Sequence, residues 1–277
     1  MSGLRDQPMK GKIVMKYTFI DIEAAWDEHL HEAYRQIDPV GAGELMRNGQ
    51  QRRRLPCKRV MAAAAFDLEL HEDGAISILG LTSWTTHDHG DEREVVANMF
   101  EHVRARPATH VVTYSGLAAE LPLLNLAAME HNLVLPPQLR TGMPVFLRPG
   151  MWRPHIDLAL ELKGQGRDWA HLSEIGLRLG LPGGLFAGKA RIEEPTTSEE
   201  WQAMRSRVAM DCVLTAMVAL AFWRANGRIQ LDQVAMLHHT ASWCQRNAFT
   251  TDVYSEPLVA LRRQSLVQIV EQEAELV

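Results

Sequence analysis

Apolar and polar positions alternate along residues 15–23, MKYTFIDIE, where β-branched and aromatic residues are frequent. This pattern predicts a β-strand that ends among carboxylates. Residues 58–70 and 75–84 also have strand composition, and they flank Glu72-Asp73-Gly74, a turn sequence. They predict an antiparallel hairpin, so the chain is expected to open with three strands.

A helical period of apolar residues follows over 91–106, then a short buried strand at THVVTYSG and a helix at AAELPLLNLAAMEHN. Later segments predict a helix over 168–180, a long helix from Thr197 or Ser198 to Asn226 and Gly227, and two helices within 229–277. This is the order of a ribonuclease H-like α/β fold, a mixed β-sheet flanked by helices, although other mixed-sheet folds share it. We predict a tail over 1–14, this domain over 15–228 and a C-terminal helical extension over 229–277.

Composition places the chain among folded globular proteins. Of its 277 residues, 46% are hydrophobic and 23% are charged, which excludes a disordered, collagen-like or disulfide-stapled chain. The three cysteines have no paired spacing, and the longest apolar run, residues 216–223, is far shorter than a membrane span. These features predict a reduced, cytoplasmic protein.

The net charge constrains any nucleic-acid partner. There are 29 Lys and Arg against 34 Asp and Glu, a formal charge of -5, so a polyanion would have to bind in a local basic channel. The basic residues concentrate in two predicted loops. These hold Arg52, Arg53, Arg54, Lys58 and Arg59 in the first, and Arg140, Arg148 and Arg153 in the second. They are either a solvated face or a positive wall that guides a phosphate backbone.

Two carboxylates share one face at the end of the first strand. Because strand side chains alternate, Asp21 and Glu23 point to the same side, spaced to hold a hard cation such as Mg²⁺ or Mn²⁺. The alternative is a solvated edge with two unrelated acids. Asp211 falls within the apolar stripe of the long helix, where an ionised carboxylate needs a metal or a basic partner.

Glu120 opens the helix after the central strand, where the helix dipole alone would also favour a carboxylate. A ribonuclease H-like sheet would nevertheless bring its segment together with those of Asp21, Glu23 and Asp211. Four acids around one point suggest metal-ion phosphoryl chemistry.

Five segments stand in order along the chain: FIDIEAA, VVTYSGLAAELPLL, HIDLALEL, HLSEIGLRLGLPGG and SRVAMDCVLTAMVALAFWRANGRI. Together they resemble the DEDD 3'-to-5' exonucleases, in the branch similar to family-B DNA polymerase proofreading domains. The resemblance covers about residues 15–230 and implies a divalent-metal-dependent exonuclease that acts on single-stranded DNA 3' ends and releases 5'-mononucleotides.

The resemblance also implies roles for the acids. Asp21 would bridge two Mg²⁺ or Mn²⁺ ions, Glu23 and Asp211 would complete one site, and Glu120 would serve the other. Asp157 would lie behind the ligands as a structural acid. The residues expected to contact substrate are Ser115, Gly116, Arg207 and Lys189.

Three positions depart from the family pattern. Ser115 stands where the family has Asn, Glu120 where it has Asp, and Arg207 where a Tyr assists the attacking water, four residues before the last acid. The sequence is therefore compatible with two hypotheses. The protein is either a slowed or specialised exonuclease, or a catalytically weakened or inactive one that serves as a nucleic-acid-binding or protein-scaffold module. The C-terminal helices could pack on the core or pair with a second copy or a protein partner.

Overall fold

A computed structural model describes residues 13–140, 154–186, 194–250 and 252–275. Lys189, Arg148 and Arg153 lie outside these ranges, so their predicted contacts with substrate stay predictions. The strands are β1 Ile13–Trp26, β2 Lys58–His71, β3 Ile76–Thr85, β4 His110–Thr113 and β5 His155–Asp157. The helices are α1 Glu28–Ile37, α2 Pro39–Ala42, α3 Thr86–His89, α4 Glu92–Arg104, α5 Glu120–Glu130, α6 Leu158–Lys163, α7 Leu172–Arg178, α8 Ser198–Ala225, α9 Gln233–Asn247 and α10 Ser255–Glu275.

These strands form one mixed sheet in the order β3-β2-β1-β4-β5. The long strands β1, β2 and β3 pair antiparallel, whereas β4 runs parallel to β1 and β5 runs parallel to β4. The sheet confirms the predicted ribonuclease H-like α/β fold. It also places β1 at the centre of the sheet, where β4 pairs with residues 17–19, just before Asp21.

Alternation along β1 divides the interior into two cores. Tyr17 and Phe19 pack with α8, α9 and α10 on one face, and Ile20 packs with α4 and α5 on the other. Asp21 and Glu23 continue the series of Tyr17 and Phe19, so they emerge on the α8 face.

Four consecutive alanines in β2 explain how helices approach both faces so closely. Ala62 to Ala65 are fully buried, two in each core. Cys212 of α8 lies with its Sγ 3.5 Å from the carbonyl oxygen of Ala64. Small side chains on the sheet therefore let the α8 backbone come within reach of the carboxylates on β1.

Helix α8 begins and ends as the sequence predicts. Thr197 accepts a hydrogen bond from the Glu200 N–H as N-cap, and Gly227 adopts a φ of +67° just past the end. Among the described residues, α8 is long and apolar enough to cross a membrane, but 78% of its most apolar stretch is buried inside the fold. It is the central core helix of the domain.

The two C-terminal helices share the core that α8 forms. Met236 and Cys244 of α9 and Leu258 and Leu261 of α10 are buried with it, while Leu266, Val267 and Val270 on the other side of α10 are about half exposed. The division at residue 228 and the pairing of these helices with a second copy stay predictions.

Helix α7 is shorter than the predicted 168–180. It begins only after His171, because Glu174 reaches back to accept a hydrogen bond from the His171 N–H at 2.6 Å. The segment HIDLALEL divides into β5 and α6 at Asp157, whose carboxylate caps α6. Asp157 therefore lies at the junction of β5 and α6.

His155 in β5 makes the stability of the fold depend on pH. Burial lowers the pKa of His155 to about 4, and its Nε2 lies 2.9 Å from the Thr113 hydroxyl. In the unfolded chain the histidine pKa is about 6.5, so between about pH 6.5 and pH 4 the unfolded chain binds a proton at His155 and the folded chain does not. The contribution of His155 to stability is therefore complete above about pH 6.5 and decreases as the pH falls toward 4.

We therefore expect the free energy of unfolding to fall by about 2 kcal/mol more in the wild type than in His155→Gln between pH 7.5 and pH 5. Urea denaturation of both proteins at the two pH values measures this difference. Equal losses in wild type and variant would show that His155 is not the group responsible.

Candidate active site

Three predicted ligands meet above the end of β1. Carboxylate oxygens of Asp21, Glu23 and Asp211 all lie within 4.8 Å of one another. Asp21 and Glu23 come from the α8 face of the strand, and Asp211 comes from the middle of α8, which packs across that face. The structure thus brings together residues that are about 190 positions apart in the sequence.

Glu120, the first residue of α5, joins this group through Asp21. The Asp21 carboxyl donates a hydrogen bond to Glu120, and burial together with Asp211, Glu120 and Glu23 raises the pKa of Asp21 well above its usual range. Burial also raises the pKa of Glu120 to about 7. Both carboxyl groups therefore hold a proton more tightly than isolated carboxyl groups do.

The four residues fit a hard divalent cation. Within the described ranges, Oε2 of Glu120 is buried and has no hydrogen-bond partner. A buried carboxylate oxygen without a donor is costly, and carboxylate oxygens are the ligands that Mg²⁺ and Mn²⁺ prefer. The crowded acids and the unsatisfied oxygen both call for positive charge at this point.

A short loop after β4 sets the position of Glu120. Ser115 adopts a φ of +65°, and Gly116 accepts a hydrogen bond from the Leu121 N–H, at 2.8 Å, through its carbonyl oxygen. Asp157 is buried beneath the loop and accepts hydrogen bonds from the N–H groups of Ser115, at 3.1 Å, and Leu117, at 2.9 Å. Asp157 thus supports the loop that carries Glu120.

Arg207 lies against the acid cluster. Its Nε is 2.8 Å from Oε1 of Glu23, and only 19% of the Arg207 side chain and 12% of the Glu23 side chain are exposed. This ion pair joins α8 to β1. This contact neutralises part of the negative charge of the cluster.

An open groove of about 870 Å³ leads away from the acids. Glu23, Glu120 and Arg207 line one end of it, and its walls come from the end of β1, the start of β2 and the segment between α2 and β2. Sequence reasoning missed several of these positions, although Trp26 belongs to the same strand as the first two acids. The missed lining residues are Trp26, Met46, Gln50, Gln51, Leu55 and Leu123.

Tyr254 is a further residue near the acids that sequence reasoning missed. It precedes α10 and is buried, and Asp211, Arg207 and Glu23 all act electrostatically on its hydroxyl. No spacing links Tyr254 to the acids, because only the packing of the C-terminal helices against α8 brings it near.

The sequence model of one protein family matches residues 52–253, which is more than half of the chain. Its description is "Predicted 3'-5' exonuclease related to the exonuclease domain of PolB". The protein belongs to this exonuclease family. The match confirms the resemblance to 3'-to-5' exonucleases that the sequence motifs indicated. The matched residues include Glu120 and Asp211, whereas Asp21 and Glu23 precede the first matched residue.

Two solved structures are similar to this member of the family. The family B DNA polymerase from Pyrobaculum calidifontis is 14% identical, with a TM-score of 0.44 over 83% of this chain and 26% of the polymerase. A zinc-bound E. coli ExoI–ssDNA complex is 11% identical, with a TM-score of 0.41 over 81% of this chain and 43% of ExoI. The chain thus spans less than half of either protein, and no curated protein matches it.

Gly116 is required for the approach of the loop to β4. A Cβ at this position would overlap the side chain of Thr113. Gly116→Ala is therefore expected to lower the free energy of unfolding by about 1–3 kcal/mol, through the overpacking it causes. Urea denaturation measures the loss.

Gly80→Ala is the matched control, because a Cβ on Gly80 of β3 meets no atom within 4 Å. It should leave stability within about 0.5 kcal/mol of wild type. If both variants lost the same stability, the close approach at Gly116 would not be the cause.

Proposed function

We propose that this protein is a divalent-metal-dependent 3'-to-5' exonuclease that removes 5'-mononucleotides from single-stranded DNA. The observation that carries the proposal is the convergence of Asp21, Glu23, Glu120 and Asp211 at one end of an open groove, with a buried Glu120 oxygen left unsatisfied. Membership of a family of predicted 3'-5' exonucleases supports the reaction class.

The acids divide into two sets that share Asp21. Asp21, Glu23 and Asp211 would hold one Mg²⁺ or Mn²⁺ ion, and Asp21 with Glu120 would hold a second. Bound ions of this kind lower the pKa of a water molecule and stabilise negative charge on the phosphate and the leaving 3'-oxygen. Any proton held by Asp21 or Glu120 must leave before both residues act as ligands.

The other residues orient this chemistry. Arg207 lines the groove together with Glu23 and Glu120, and its guanidinium can bind the phosphate of a strand that ends at the acids. Asp157 fixes the loop that holds Glu120. The groove is open along its length, so a chain of nucleotides can extend out of it from the reacting end.

Asp21→Ala tests the proposal most directly, because Asp21 belongs to both sets of ligands. We expect wild type to shorten a 5'-labelled oligodeoxynucleotide stepwise with Mg²⁺ or Mn²⁺, and the variant to be at least about 1,000-fold slower, since both ions lose a ligand. Gel analysis of the labelled products gives the rates and the direction of cleavage.

Asp73→Asn, in the exposed turn between β2 and β3, is the control and should keep wild-type activity. Equal activity in Asp21→Ala, or no hydrolysis with any divalent metal, would contradict the proposal.

The ion pair between Arg207 and Glu23 favours a second candidate function, a binding or scaffold module derived from an exonuclease. In that case the guanidinium substitutes for a cation at the acid cluster. Binding to single-stranded DNA would then survive Asp211→Ala, with no hydrolysis in either protein.

Arg207→Gln separates the two functions. If Arg207 binds the scissile phosphate, the variant should lose about 10- to 100-fold in kcat/KM, as expected for a lost charge-assisted hydrogen bond, while its affinity for Mn²⁺ does not fall. Oligonucleotide hydrolysis and calorimetric Mn²⁺ titration measure the two quantities. A variant that gains Mn²⁺ affinity and activity together would show that Arg207 blocks the metal site instead.

A further inference from the structure

We propose that Trp26, Arg53 and Lys58 form a subsite for the single-stranded segment that lies behind the reacting end of the substrate. All three residues line the groove that begins at Glu23 and Glu120. The subsite rests on the proposed function only in taking the acid cluster as the place where the strand ends.

Trp26 is held as a fixed aromatic platform. Its indole Nε1 donates a hydrogen bond to Oε2 of Glu28 at 2.8 Å, and the ring of His31 lies 4.8 Å from its own. The guanidinium carbon of Arg53 lies over the indole, 5.2 Å from the ring centroid. Arg53 is exposed, so a planar group can stack on the outer side of its guanidinium or directly on Trp26.

Lys58 adds a point charge beside this platform. It is the cross-strand partner of Trp26 in the antiparallel pairing of β1 with β2, so the two side chains start from adjacent positions. Trp26 is three strand residues, about 10 Å, beyond Glu23. The platform and the lysine thus start farther along the groove than the acids, beside the part of the strand that follows the reacting end.

The remaining cations of the basic run are already paired. Arg52 and Arg54 both form ion pairs with Glu44. Arg59 lies among Asp27, Glu92 and Glu130 and pairs with all three.

Arg53 and Lys58 differ from these three cations, since neither has a carboxylate within ion-pair distance among the residues that the structure describes. Within the first of the two predicted basic loops, the cations that line the groove are therefore Arg53 and Lys58.

An aromatic ring stacked with a guanidinium, next to a lysine, recognises an unpaired base and its phosphate. Stacking of this kind tolerates any base, because every base has a π-face, and it requires bases that are not paired in a duplex. The subsite therefore predicts preference for a single strand without preference for sequence.

Fluorescence anisotropy tests the subsite with a labelled oligodeoxythymidylate in EDTA, where hydrolysis is prevented. Trp26→Leu is expected to weaken binding about 5- to 150-fold, and Lys58→Gln to reduce the salt slope of log K by about 0.7, the value for one single-strand phosphate contact. Arg53→Gln should show both effects.

Two matched controls show whether the loss of binding is specific to the subsite residues or follows from removing any cation or any exposed tryptophan. Arg52→Gln removes a neighbouring cation that is paired with Glu44, and Trp169→Leu removes an exposed tryptophan that stacks with Lys163 outside the groove. Both should bind within about twofold of wild type.

A blunt duplex should bind weakly to every protein in the series. The inference is overturned if Arg53→Gln behaves like Arg52→Gln, if Trp26→Leu binds as wild type does, or if duplex binding falls as much as single-strand binding. The assay measures binding in EDTA and therefore does not depend on catalysis. If the protein never hydrolyses DNA but the variants bind as expected, the subsite stands and only the proposed catalysis is rejected.

Discussion

Repulsion among carboxylates at the end of β1 is the constraint around which this molecule is organised. Asp21, Glu23 and Asp211 have oxygens within 4.8 Å of one another, and Glu120 is hydrogen-bonded to Asp21. Such a group is stable only with compensating positive charge or bound protons. Arg207 supplies part of the positive charge, and the raised pKa values of Asp21 and Glu120 favour protonation of these two residues. A divalent cation would replace such protons and add coordination to the unsatisfied Glu120 oxygen.

The packing of the domain brings the carboxylates together and also holds them in place against their mutual repulsion. The alanines of β2 let α8 lie close to the sheet, which delivers Asp211 to the strand that bears Asp21 and Glu23. Asp157 uses three backbone N–H groups, two from the loop and one from α6, to hold the segment before Glu120. The favourable free energy of core packing therefore offsets the electrostatic cost of placing these carboxylates close together.

The overall charge of -5 is a poor guide to what this surface can bind. Most of the basic run that seemed to offset it is neutralised locally by Glu44, Asp27, Glu92 and Glu130. The groove keeps Arg53 and Lys58, so attraction for a phosphate chain is confined to a narrow path. Such an arrangement favours binding of a strand end over general adhesion to nucleic acid.

The sequence by itself determined the strand and helix order, the capped long helix and the four candidate acids, because alternation, helical period and capping are local properties. It also indicated that Asp211 needed a partner, since an acid within an apolar stripe cannot stay unpaired. Only the tertiary structure decided that Arg207 pairs with Glu23, that Tyr254 lies near Asp211, and which cations of the basic run face the groove. These choices depend on distances between segments far apart in the chain, and no local pattern encodes such distances.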